Sequence, residues 1–119
     1  MALTWTLEGK LRRSTEIETR RVLYDMNVAI STEEESSFIL KVPTATVDME
    51  VALPFQNAQM LAIFTDKDIS IKMEAGGTAV KVGGCFIAMD SDIDELYISN
   101  SSGDFASVKI YVGGEPIVP

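Results

Sequence analysis

A chain of 119 residues, 46% of them hydrophobic, supplies material for one domain and one core. Its net charge of −8 argues against nucleic acid, and no stretch approaches the roughly 18–20 uninterrupted apolar residues of a membrane span. A single cysteine, Cys85, excludes an intrachain disulfide, so stability has to come from packing or from neighbouring molecules.

At the start, Leu3, Trp5 and Leu7 alternate with Thr4, Thr6 and Glu8. Such alternation sends every second side chain to one sheet face, the mark of a strand wet on one side. The early acid does not suit a signal peptide, and the expectation is a soluble protein made inside the cell. Positive charge collects here. Residues 1–21 hold five bases against three acids, a net +2, whereas residues 22–119 hold five against fifteen, a net −10. Residues 1–21 are therefore expected to form a basic strand or arm. Lys10, Arg12, Arg13, Arg20 and Arg21 either grip an acidic partner, the next copy included, or form a solvated face.

Between Thr15 and Ile30 two periods compete. Val22, Tyr24, Met26, Val28 and Ile30 alternate, while Ile17, Arg20, Arg21 and Tyr24 fit a helix. The favoured reading is a strand from about Arg21 to Ile30 after a polar linker or hairpin turn, then a loop over Thr32–Ser37. Alternation resumes at Phe38–Val42, Val47–Leu53, Ile69–Met73, Leu96–Ile98 and Ala106–Val112. Two unbroken apolar runs, Met60–Phe64 and Cys85–Met89, suit central strands covered on both faces, or faces shared with a partner subunit.

Turn signals separate the segments: Pro43–Thr46, Pro54–Asn57, Thr65–Asp68, Gly76-Gly77, Gly83-Gly84, the acidic stretch Asp90–Glu95, and Asn100–Gly103. The two Gly-Gly pairs are expected at positive φ. Residues 113–119 read as a short tail, loose or laid along an edge, because Pro116 and Pro119 cannot donate to a ladder. The expectation is one all-β domain, a jelly-roll-like antiparallel sandwich of about eight to ten short strands.

Catalytic chemistry finds little to work with. The absence of histidine removes the commonest general base, the commonest metal ligand and a His-ligated cupin site. Cys85 reads as a buried, inert thiol, and Trp5 as a core residue. Asp90, Asp92, Asp94 and Glu95 alternate as a calcium loop would. However, Glu95 stands where such a loop needs glycine and Ser101 where it needs glutamate, so solvated loop acids are the default. Asp66 and Asp68 join them only if the fold brings the loops together. Neither Gly-Gly pair opens a helix or precedes a Gly-Lys-Ser/Thr triplet, so neither is a phosphate loop. No catalytic residue, cofactor or metal site is assigned.

From Ser37 to Val112 the order of elements resembles small β-sandwich proteins among the structural proteins of tailed bacteriophages. The stretches that carry the likeness are Val42-Pro43-Thr44-Ala45-Thr46, Met60–Asp66, Ile69-Ser70-Ile71-Lys72 leading to Gly76-Gly77, Val82–Ile87, and Leu96–Gly103 followed by the strand through Val112. The resemblance implies a non-enzymatic virion component, made in the host cytoplasm. It would be a capsid decoration or cement subunit, or a neck or tail accessory. Such a protein contacts the major capsid protein or other virion proteins, and it is expected to be homo-oligomeric, a trimer being one option. A carbohydrate-binding or adhesive module is the alternative from another class. A hydrolase using Asp90, Asp92 or Asp94 is the third, and it lacks a base.

Overall fold

The computed structural model describes residues 3–15 and 21–117, and none of these is helical. Ten strands follow in order: β1 (Leu3–Arg13), β2 (Arg21–Thr32), β3 (Glu34–Val42), β4 (Thr46–Glu50), β5 (Phe55–Thr65), β6 (Ile69–Lys72), β7 (Val80–Val82), β8 (Cys85–Ile93), β9 (Tyr97–Asn100) and β10 (Ala106–Pro116). The alternating segments are strands, as period two requires. Val22 to Ile30 obeys that period and not the helical one.

Strands β3–β10 build two antiparallel four-stranded sheets, ordered β3-β10-β5-β8 and β4-β9-β6-β7. The pairings nest: β3 with β10, β4 with β9, β5 with β8, β6 with β7. This is the winding of one long hairpin rolled across two layers. The inner faces meet in a core whose fully buried side chains include Leu61, Ile63, Ile71, Leu96, Ile98 and Ile110. Each such burial is worth about 1.5–3 kcal/mol against exposure.

One polar residue is fully enclosed in that core. Asn100 Nδ2 donates to the carbonyls of Val42 (2.9 Å) and Asp104 (2.8 Å), and its Oδ1 accepts from Ser102 N (3.0 Å) and Ser102 Oγ (2.7 Å). The side chain ties the ends of β3 and β9 to the loop before β10. All its polar atoms are satisfied, so burial costs little.

The remaining strands, β1 and β2, pair only with each other, in a ribbon whose register shifts between Leu11 and Arg12. Leu3, Trp5 and Leu7 stand opposite Thr32, Ile30 and Val28 on one ribbon face. The base of the ribbon lies over the outer face of the β3-β10-β5-β8 sheet. Trp5 and Leu7 border a hollow of about 190 Å³ with Met60, Ala62, Phe64, Ile87, Met89 and Tyr111. The Trp5 indole donates to Thr32 Oγ1 at 2.9 Å beside Gly113, where a Cβ would collide with the ring. A two-stranded ribbon is marginal alone in water, so this seating holds it. The apolar run Met60–Phe64 is thereby explained: Leu61 and Ile63 face the core, while Met60 and Ala62 are buried beneath the ribbon.

Several sequence expectations are corrected. Thr32–Ser37 is not a loop: only Glu33 separates β2 from β3, because Glu34, Glu35 and Ser36 pair with Gly114, Gly113 and Val112 on a sheet edge that tolerates polar side chains. Gly113–Pro116 is not tail but the end of β10, paired with β5 as far as Phe55; Ile117 follows, and residues 118–119 lie outside the described chain. Phe55–Asn57 belongs to β5 rather than to a turn. Asp90–Ile93 continues β8, with Asp90 at φ 54° where the pairing shifts. The run Cys85–Met89 is not central, since β8 is an edge, and Cys85 is exposed rather than buried. Of the two Gly-Gly pairs, only Gly76 has a positive φ. Val47 leaves the core face and is 77% exposed, because Ala45 and Asp48 adopt left-handed backbone and break the register of β4.

Candidate binding surface

The ribbon is longer than the sheet that supports it. From Glu8 to Arg13 every β1 residue is exposed, and so is every β2 residue from Arg21 to Asp25. Gly9–Arg13 alone amounts to roughly 17 Å of strand. The molecule measures 57 × 40 × 24 Å with a radius of gyration of 16.0 Å, against about 13.5 Å for a compact chain of this length. The distal half of the ribbon is an arm.

Four of the five sequence-predicted basic residues are placed on this arm. Lys10 stands opposite Asp25, Arg12 opposite Val22 and Arg13 opposite Arg21. Arg20 lies outside the described residues. Among the described residues Lys10, Arg12 and Arg13 enter no ion pair. Sequence reasoning missed the apolar component interleaved with them. Leu11 faces Tyr24 across the ribbon, and these two are 56% and 61% exposed; Val22 and Leu23 are bared next to them in β2. The signal was present as alternation, but alternation normally marks a covered face.

A second surface lies where the sandwich is open between its edge strands β3 and β4. Phe38, Leu40, Met49, Val51 and Pro54 line a groove of about 430 Å³ with Ser36 and Glu50. By alternation Glu34 shares the β3 face with Ser36, Phe38 and Leu40. The groove is thus apolar along its floor and acidic at its rim.

Three of the loop acids, Asp66, Asp68 and Glu95, are engaged within the chain. Asp66 Oδ1 accepts from Ser107 N at 2.7 Å, and Asp68 pairs with Lys81 at 3.6 Å. Glu95 accepts from the Tyr97 hydroxyl (3.1 Å) and from Ala75 N (3.3 Å). Partial desolvation pushes the Tyr97 phenol above its usual range, and the Glu95, Glu50 and Asp48 carboxylates push it further. Ser91 Oγ is within 3.3 Å of both the Ala58 and Gln59 carbonyls, which holds the acidic end of β8 to β5. Among the described residues no three His, Cys, Asp or Glu side chains come together as metal ligands.

Compared with family models, curated proteins and solved structures, the chain matches none of them. Its function has to be argued from these surfaces.

Proposed function

We propose that this chain is a non-enzymatic structural subunit that packs against protein surfaces. Its setting would be the virion of a tailed bacteriophage, as a capsid decoration or cement protein. The observation that carries the reading is the arm, a rooted ribbon whose far half presents Leu11 and Tyr24, more than half exposed, among Lys10, Arg12 and Arg13. Contiguous exposed apolar side chains on a soluble fold mark interaction sites, and flanking charge adds steering and register.

The nested pairing of β3–β10 fits a jelly roll, an architecture used by viral capsid proteins, lectins and cupins. A fold does not assign a function, but two of these uses fare poorly here. A histidine-ligated cupin centre has no histidine to use. A lectin cleft would gather open aromatic rings, whereas Trp5, Phe64 and Tyr111, which do meet around one hollow, form the seat of the ribbon, and Tyr24 and Phe105 lie elsewhere. The shell-protein use remains, and it agrees with the resemblance in strand order.

The test is cosedimentation with phage heads assembled without the protein. Wild-type protein should pellet with heads in low salt and be released as salt rises. Arg12→Glu with Arg13→Glu should weaken attachment about tenfold or more in low salt. Absence of binding to heads, necks or tails would overturn the reading.

A further inference from the structure

We infer that the partner of the arm is a second copy of this chain, with the arm of one molecule seated in the β3–β4 groove of the next. Three observations carry this. The arm face that carries Leu11 and Tyr24 also carries, by alternation, Arg13, while the groove is apolar with Glu50 in its lining and Glu34 further along the same face of β3. Each surface supplies what the other lacks.

The second observation is directional. The ribbon is rooted where Trp5 and Thr32 meet Gly113 of β10, next to β3, and β2 runs over β10 and β5 to β8. Its free end therefore overhangs the β8 side of the body, while the groove opens on the β3 side, at the far edge of the same sheet. An arm cannot fill the groove of its own molecule, so the pairing is intermolecular and head-to-tail. Such a heterologous contact makes a closed ring if the rotation closes and a string if it does not.

The third observation concerns the rival geometry. Packing two arms face to face would bury Leu11 and Tyr24 as well. It would also bring the two Arg13 side chains, which by alternation share the Leu11 face, toward each other, and like charges so placed are repulsive. In the groove Arg13 meets carboxylates instead. The edge of β3 also has no strand beside it on that side, so the seated arm meets free backbone groups that can hydrogen-bond to it.

The inference deepens the structural-subunit reading by naming what the arm holds. Many copies joined in this way would multiply weak contacts to a shell.

The experiment is solution mass by light scattering over a range of concentration in low salt. It uses the full chain, an arm variant (Leu11→Ser with Tyr24→Ser) and a groove variant (Glu34→Lys with Glu50→Lys). All four positions are exposed, and unchanged circular dichroism confirms that the variants are folded. Wild type should exceed monomer mass. Each variant alone should be monomeric, with association weakened about tenfold or more. An equimolar mixture should stop at two copies, because only the groove variant's arm and the arm variant's groove remain competent. A monomeric wild type overturns the inference. So does a groove variant that assembles like wild type, which is the outcome for arm-to-arm pairing. Assembly without attachment to phage particles would sink only the virion reading; attachment as a monomer would sink only this one.

Discussion

The body and the arm are written in the same period-two pattern and meet opposite fates. In the body, alternate residues such as Leu61, Ile63, Ile98 and Ile110 are wholly enclosed, because a second sheet lies across them. In the arm, Leu3, Trp5 and Leu7 continue the pattern onto the sheet's outer face, and Leu11 and Tyr24 carry it past the end of the support. Alternation specifies which side chains share a face. What covers that face is decided by topology, or by another molecule.

The largest effect separates the two regions from the side of the body. Asn100→Ala removes two donors and an acceptor from a site with no access to water, leaving the Val42 carbonyl without this partner. The expected cost is about 2–3 kcal/mol, read as an earlier urea midpoint with unchanged slope. Arm and body should both be lost, since the arm has no stability of its own. A variant as stable as wild type would mean that Asn100 ties nothing together.

Gly113→Ala attacks the joint between the regions. A methyl group there overlaps the Trp5 ring and comes within 2.8 Å of Thr32 Oγ1, so the indole must leave its seat. The body should lose about 1–2 kcal/mol, while the arm loosens. Trp5 is the chain's only tryptophan, so a red-shifted fluorescence spectrum reports undocking directly. Proteolysis should fall within the arm well before the body unfolds. Unshifted emission would place the anchor elsewhere.

Much of this division was legible in advance, and its failures have definite causes. The strands, the sandwich and the basic character of the leading segment follow from spacing and charge. Acid-rich Thr32–Ser37 and Asp90–Glu95 read as loop and turn because their side chains are polar. Backbone pairing at a sheet edge asks little of an exposed side chain, so both stretches hold mainly strand. Residues 113–119 read as loose or laid along an edge, yet Gly113–Pro116 ends a paired strand, and its glycines are what the approach of Trp5 and of the Asn57 backbone requires. Of the candidate surface, the bases were found and the bare leucine and tyrosine between them were not. Sequence alone gives no sign of where support ends.

Substitution at the far end of the arm gives a much smaller effect on stability. Leu11→Ser with Tyr24→Ser removes apolar area that is already more than half exposed, so monomer stability should change by less than about 0.5 kcal/mol. This is the counterpart of the body result: the same kind of residue in the same pattern, with almost nothing lost on folding. A loss of about 2 kcal/mol at a concentration where the protein is monomeric would show that the arm folds back on its own body.

The smallest effect concerns the outer face of the other sheet, which no ribbon covers. There Tyr97 on β9 donates to Glu95, and Asp48 on β4 accepts from Lys72 at 3.1 Å. Desolvation is the leading cause of the raised Tyr97 phenol, and the Glu95 hydrogen bond and charge come next. The folded state thus holds the phenolic proton more tightly than the unfolded one. Above the ordinary value of 10.0 the unfolded chain gives up its proton first, so this contribution to stability is full below pH 10 and is lost as pH rises through the folded value. Glu95→Gln should move the absorbance titration of Tyr97 part of the way back toward 10, and only part, because the desolvation remains. A titration unmoved by Glu95→Gln would mean that the hydroxyl points away from the carboxylate, leaving this face to water alone.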